Sequence, residues 1–127
     1  MRRSAVLRDP RLYLQEIVKH TKRIEKTIGE LDYAAFSGDQ DKVDILDANM
    51  EKIGEAVRVL DKYPKVRTQF YYYRIPVRKL IDIRKILIHE YFSLDLESMW
   101  QTANELLALR PNFEKILRAL ELSSASV

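Results

Sequence analysis

Residues 76–91 read PVRKLIDIRKILIHEY, and this stretch decides how the rest of the chain folds. Proline is tolerated in the first turn of a helix, and no glycine or second proline follows within the stretch. A helix that is apolar on nearly every side is buried on several sides. The stretch therefore predicts either the central helix of a helical core or a helix with one face against a second subunit. Its apolar residues are Val77, Leu80, Ile81, Ile83, Ile86, Leu87 and Ile88.

Apolar spacings of three and four predict two long amphipathic helices before this stretch. The first begins after the capping residue Asp9 and ends near Gly29 and Asp32. The second runs from about Gln40 until Pro64 stops it. Their apolar positions are Leu14, Ile17, Thr21, Ile24, Ile28 and Leu31, followed by Val43, Leu46, Met50, Ile53, Val57 and Leu60.

Weaker signals predict the remaining elements. Residues 33–36 suit a single helical turn, and residues 64–75 suit a connector. Asp95 suits the cap of a further helix, which Pro111 either kinks or replaces with a fresh one. His20 is predicted at the surface or boundary, and Gly54 is predicted to let a helix or ligand approach closely.

Together these patterns predict an all-α fold, an antiparallel bundle of four to five helices. The 127 residues suit a single domain over 1–127, with a flexible basic arm at 1–8 and a frayed tail at 123–127.

The composition limits which cellular environment and which kinds of chemistry fit this chain. The chain has no cysteine, which excludes disulfides and thiolate metal sites and fits a reducing cytoplasm. The first residues lead into no apolar run, and no stretch approaches the length of a membrane helix. We therefore expect a cytoplasmic protein without a membrane partner.

Positive charge is concentrated in one window. The whole chain carries +3, whereas residues 61–91 hold eight Lys or Arg against three Asp or Glu, and eight minus three gives +5. Such a zone suggests a polyanionic partner, although a solvated basic face is the plain alternative. Aromatic rings interleave with the cations and suit base stacking, or they fill gaps and interfaces instead. The RNA-binding candidates are Tyr71, Tyr73, Arg74, Arg78 and Lys79.

The end of the opening stretch carries Arg84, His89 and Tyr91. Two histidines 69 positions apart and no clustered carboxylates give little support for a metal site, so none is predicted. RNA supplies its own nucleophile, the 2′-hydroxyl, and histidine moves protons near neutral pH. Arginine offers fixed charge where the phosphorane develops. The three residues thus suit metal-free RNA cleavage, with Tyr91 holding a phosphate or positioning His89.

Helical geometry complicates this site. Arg84 and His89 are five residues apart, which is about 140° around a straight helix. They converge if the helix loosens near His89, or if two copies face each other across a two-fold axis. In the structural alternative His89 caps a helix end, and Arg84 pairs with Glu55 or Asp82.

The chain resembles the HEPN family, in particular the HepT-like toxins. The resemblance covers roughly residues 10–120. It rests on MEKIGEAV at 50–57, IPVRKL at 75–80, the Arg84–His89–Tyr91 motif and DLESMW at 95–100. It implies a HEPN-like bundle that forms a homodimer, in which two motif helices meet in a basic cleft.

The resemblance also implies an activity and a partner. The activity is a metal-independent, cofactor-free endoribonuclease of a type VII-like toxin–antitoxin system, with Arg84 and His89 catalytic. The partner is a minimal nucleotidyltransferase antitoxin that silences the toxin by transferring AMP to Tyr91. Glu55 and Lys85 are candidate supporting residues, and Lys85 stands where the family usually has a polar residue, often Asn. This departure motivates an alternative, a catalytically weak helical partner of a nucleotidyltransferase.

Overall fold

The computed structural model describes the backbone of residues 9–89 and 93–125 and the side chains of residues 9–83 and 96–123. Within these residues the chain forms six helices and no strand, which confirms the all-α bundle. The helices are α1 (Pro10–Ile28), α2 (Tyr33–Ser37), α3 (Gln40–Leu60), α4 (Pro64–Tyr72), α5 (Val77–His89) and α6 (Ser93–Ala125).

The first helix follows its sequence signals closely. The Asp9 carboxylate accepts a hydrogen bond of 2.9 Å from the Arg11 amide, and Pro10 occupies the first turn. The apolar face of α1 is buried against α3 and α6. Arg110 of α6 donates a hydrogen bond of 2.6 Å to Glu25 of α1, which joins the two helices at the surface.

His20 is buried, so its predicted surface or boundary position is wrong. Its side chain is 6% exposed, and its Nδ1 lies 2.7 Å from Oδ1 of Asn49 on α3. Its Nε2 lies 3.3 Å from Oε1 of Glu16, one turn earlier on α1. Because both ring nitrogens have oxygen partners, the histidine is tolerated between α1 and α3.

The predicted turn at residues 33–36 forms α2, which the Asp32 side chain caps by accepting from the Ala35 amide at 2.8 Å. Phe36 is fully buried, and its ring centroid lies 5.0 Å from that of Trp100 on α6. Tyr33 meets the same indole edge-on at 6.1 Å. This aromatic cluster holds α2 against the start of α6.

The last helix differs from its prediction at its beginning. It starts at Ser93, so Asp95 lies inside its first turn and not at the capping position before it. An acidic residue is favourable in either place, because both lie near the positive end of the helix dipole. Pro111 lies inside one continuous helix of 33 residues, roughly 50 Å long. The helix reaches Ala125, and the frayed tail at 123–127 stays a prediction.

The centre of the bundle is α3, which contacts α1, α2, α5 and α6. The central position predicted for the motif helix is therefore wrong. Helix α5 packs mainly on α3, with Leu80 and Ile83 buried and Val77 and Ile81 only partly covered. The second expectation, a face against another subunit, stays a prediction. No helix among the described residues is long and apolar enough to cross a membrane. The predicted arm at residues 1–8 lies outside them.

Candidate functional site

The motif arginine and histidine are carried by the second half of α5. The helix extends to His89, so its backbone does not loosen between Arg84 and His89. The two positions therefore remain about 140° apart around the helix axis. The side chains of Arg84, Lys85 and His89, and Tyr91 as a whole, lie outside the described residues. Their contacts stay predictions.

Residues 64–75 form a helix over most of their length, so the predicted connector is wrong. Pro64 begins α4 instead of only ending α3, which already stops at Leu60. Val66 and Phe70, four residues apart, are each 1% exposed and anchor α4 to the core. The Phe70 ring meets Phe113 of α6 edge-on at 6.3 Å. With only two buried positions, the helical period was too short to stand out in the sequence.

The four consecutive aromatic residues 70–73, at the end of α4 and just after it, are split between the core and the surface. Phe70 is in the core, and Tyr73 packs partly against it. Tyr71 is 87% exposed and Tyr72 is 73% exposed. Of the two predicted RNA-binding tyrosines, Tyr71 therefore presents its ring to solvent, whereas much of Tyr73 is covered. Tyr72 is a second exposed ring that the sequence reasoning did not single out.

Arg74 has a left-handed backbone conformation, with φ of 57°. It follows α4 as the left-handed residue of a Schellman cap: its amide donates to the Tyr71 carbonyl, and the Ile75 amide donates to the Phe70 carbonyl. Glycine usually occupies this position because a Cβ is unfavourable there. The arginine side chain is exposed just before α5 begins.

The other predicted basic residues have acidic neighbours. Lys79 donates a hydrogen bond of 2.9 Å to Glu105 of α6. The Arg78 guanidinium lies 3.8 Å from Asp82, and its side chain is 77% exposed. Glu55, the candidate supporting carboxylate, accepts hydrogen bonds of 3.1 and 2.5 Å from Arg58 on its own helix.

An acidic groove of about 690 Å³ runs along the outer face of α3. Burial, reinforced by the neighbouring Glu51 and Asp44, raises the pKa of Asp47 to about 6. The buried Oδ1 of Asp47 accepts no hydrogen bond from the described residues. The sequence reasoning missed this groove, although spacings of three and four place its residues on one helical face. They are Asp44, Asp47, Ala48, Glu51, Lys52, Glu55 and Arg58.

A smaller basic groove of about 370 Å³ follows the outer face of α4. The described residues that line it are Pro64, Arg67, Thr68 and Tyr71. Their spacing of three and four places them opposite the buried Val66 and Phe70. Arg67 was not among the predicted RNA-binding residues, because its neighbourhood with Tyr71 depends on α4 being a helix.

No group of three or more His, Asp or Glu side chains suitable for holding a metal ion occurs among the described residues. The carboxylates of the acidic groove follow one another along a single helix face.

Comparison with known proteins gives a consistent family. The model of the family described as "Ribonuclease HepT-like" matches residues 17–120. Two Methanocaldococcus jannaschii proteins, both named as proposed RNases, are 34% and 32% identical over 116 residues, or 90% of this chain. Those matches cover 96% and 92% of the two relatives.

A Thermococcus cleftensis protein named as a proposed ribonuclease HepT is 28% identical over 106 residues, covering 82% of this chain and 92% of its own. No solved structure gave a significant match. The family model covers most of the helical bundle, including the positions of Arg84 and His89 on α5. The chain therefore belongs to the HepT-like ribonuclease family.

Proposed function

We propose that this protein is a metal-independent endoribonuclease whose site is completed by a second copy of the chain. The observation that carries the proposal is the position of Arg84 and His89 on α5 in a member of a ribonuclease family. Their offset around a continuous helix argues against one copy bringing both side chains to the same phosphate. The partly covered flank of α5 at Val77 and Ile81 suits contact with another α5.

The reaction follows from the chemistry of RNA. His89 takes the proton of a 2′-hydroxyl, and the 2′-oxygen bonds to the adjacent phosphorus. The bond from phosphorus to the 5′-oxygen breaks, and that oxygen receives a proton from the partner's His89. Arg84 stabilises the charge on the non-bridging oxygens. The products carry a 2′,3′-cyclic phosphate and a 5′-hydroxyl.

A purified-protein assay tests this mechanism. Internally labelled RNA is incubated with the wild type, with Arg84→Ala and with His89→Ala, in the presence of EDTA. We expect wild-type cleavage to continue in EDTA and each variant to lose about 10²- to 10⁴-fold in rate. Mixing the wild type with an excess of His89→Ala should lower the wild-type activity, because each mixed dimer then has only one of the two His89 side chains that the reaction uses. Full activity of His89→Ala would exclude the mechanism.

We further propose that the enzyme is a toxin controlled at Tyr91 by a nucleotidyltransferase antitoxin, in a type VII-like pair. An AMP on Tyr91 adds bulk and negative charge close to the groups that receive an RNA phosphate. Co-expression with the partner should add AMP to the wild type but not to Tyr91→Phe, as measured by intact mass. Wild-type protein that stays unmodified throughout would contradict this mode of control.

The second candidate function is a catalytically weak binding partner of the nucleotidyltransferase, and Lys85 favours it. A lysine cannot supply both the donor and the acceptor of an amide. Under this alternative the free dimer leaves RNA intact while binding the partner tightly. Lys85→Asn should then restore cleavage. If the wild type already cleaves robustly, the alternative is excluded.

A further inference from the structure

The short helix α4 has one buried face and one exposed face, and the basic groove lies on the exposed face. Val66 and Phe70 face the core, whereas Arg67 and Tyr71 face solvent one turn apart. Because the core contacts fix α4 as a rigid element, the Tyr71 ring is held outward without any burial of its own. A groove of about 370 Å³ lies at the lower end of the range for small-ligand sites.

The charges around this groove favour a phosphate chain. A second groove on α4, on the side facing α6, shares Thr68 with it and includes Lys65. No described residue that lines either groove is acidic. Asp61 approaches Arg67, but the distance from Nε to Oδ1 is 3.8 Å, which is too long for a hydrogen bond. Both side chains are exposed, so this ion pair is weak.

An exposed ring beside a planar cation suits an unpaired nucleobase. Stacking on an aromatic side chain requires a free base face, which a single strand offers and a duplex hides. A second copy of this chain fits less well, since a two-fold contact would bring Lys65 and Arg67 towards their own duplicates.

We propose that the basic groove seats one unpaired base of single-stranded RNA on Tyr71, while Arg67 and Lys65 hold the neighbouring phosphates. This inference rests on the proposed function for the identity of the ligand. It makes Tyr71 a determinant of specificity: RNA that presents an unpaired base to α4 binds better than RNA paired throughout.

Binding to intact RNA tests the proposed base-binding site at Tyr71 (the seat) separately from cleavage. The full-length His89→Ala protein is titrated against a short fluorescent single-stranded oligoribonucleotide, and anisotropy is measured. Adding Tyr71→Ala should weaken binding about tenfold, whereas Tyr71→Phe keeps the ring and should stay within about twofold. Tyr72→Ala is the matched control, because Tyr72 is also exposed but does not line the groove. A fully paired duplex should bind Tyr71→Ala and its parent equally.

Several results would overturn the seat. One is single-strand binding by Tyr71→Ala at the strength of its parent, and another is equal losses from Tyr71→Ala and Tyr72→Ala. A fall in oligomeric state in Tyr71→Ala, measured by sedimentation, would assign the face to a contact between copies.

The nuclease mechanism and the base-binding site at Tyr71 can be refuted independently of each other. Normal binding by Tyr71→Ala together with cleavage that depends on His89 removes the seat alone. Weakened binding together with a wild type that never cleaves removes the proposed nuclease mechanism and leaves the seat.

Discussion

The outer faces of α3 and α4 carry opposite charge, although they are consecutive helices. The acidic groove on α3 has four carboxylates against Lys52 and Arg58, so its formal charge is two minus four, or −2. The basic groove on α4 has Arg67 and no described acidic lining residue, or +1. The modest net charge of the chain hides this division. A polyanion is therefore attracted to one face and repelled by the other.

The two faces also differ in what they cost the fold. On α3, burial and the neighbouring carboxylates of Glu51 and Asp44 raise the pKa of Asp47. On α4 the cations are exposed and spread out, and the left-handed backbone of Arg74 after the helix is unfavourable. Each face therefore carries a feature that lowers the stability of the fold, and substitutions at these features show what each one contributes.

Reversing the charge of α4 should give the largest effect. Lys65→Glu combined with Arg67→Glu removes two phosphate contacts, and we expect single-stranded RNA affinity near physiological salt to fall about 30-fold. The slope of log affinity against log salt should become shallower by about 1.4. Anisotropy titrations in the His89→Ala background measure both quantities.

The matched control reverses α3 with Asp44→Lys and Glu51→Lys. This pair should increase RNA affinity by less than about threefold, because the acidic groove lies away from the proposed RNA-binding residues of α4. Equal losses from the two double variants would show that binding does not distinguish the faces.

Neutralising the crowded carboxylate on α3 should give a smaller effect, on stability. Asp47 has a folded pKa of about 6, above its ordinary value of 3.8. The folded protein therefore binds this proton more tightly. The resulting stability is present below about pH 4 and is lost as pH rises through 6. Allowing for partial solvent screening, Asp47→Asn should raise the unfolding free energy by roughly 1 kcal/mol at pH 7.

Urea denaturation at pH 4 and pH 7 measures this gain. Near pH 4 the gain should almost vanish, because Asp47 is then largely protonated in the folded protein. Glu114→Gln, an exposed carboxylate on α6, is the control and should show no comparable difference between the two pH values. A gain of the same size at both pH values would point to a cause other than ionisation.

The sequence predicted features that depend on interactions within one helix better than features that depend on residues far apart in the chain. Signals within one helix placed the beginnings of α1 and α3 closely, with Asp9 as the predicted cap of α1, although α3 ends at Leu60, before Pro64. The burial of His20 was not predictable because its partner Asn49 is 29 positions away. The central role of α3 was missed for the same reason: an apolar pattern shows that a helix is buried, but not which helices surround it.

The candidate site shows the same limit. The motif residues Arg84 and His89 could be named from the sequence, because a family signature is local. Under the proposed function they meet only with the help of a second chain, and no spacing within one chain encodes such a contact. Arg67 was overlooked because its proximity to Tyr71 exists only once Pro64 begins a helix.

The smallest expected effect concerns Arg74, whose left-handed backbone costs a non-glycine residue about 1 kcal/mol. Arg74→Gly removes that cost but adds freedom to the unfolded chain, so we expect a net gain of only about 0.5 kcal/mol. Arg74→Ala keeps the left-handed cost and should give no gain. Thermal denaturation compares the two variants.

Both variants remove one cation next to the basic groove and should weaken single-stranded RNA binding by about fivefold. A glycine variant that is more stable and binds less RNA would mean that the strained arginine is kept for its charge. A glycine variant with unchanged affinity would place Arg74 off the RNA path. The basic surface would then be limited to Arg67 in the basic groove and Lys65 in the neighbouring groove. Loss of stability in Arg74→Gly would contradict the argument from backbone strain, because glycine relieves the only steric cost that the Schellman cap imposes there.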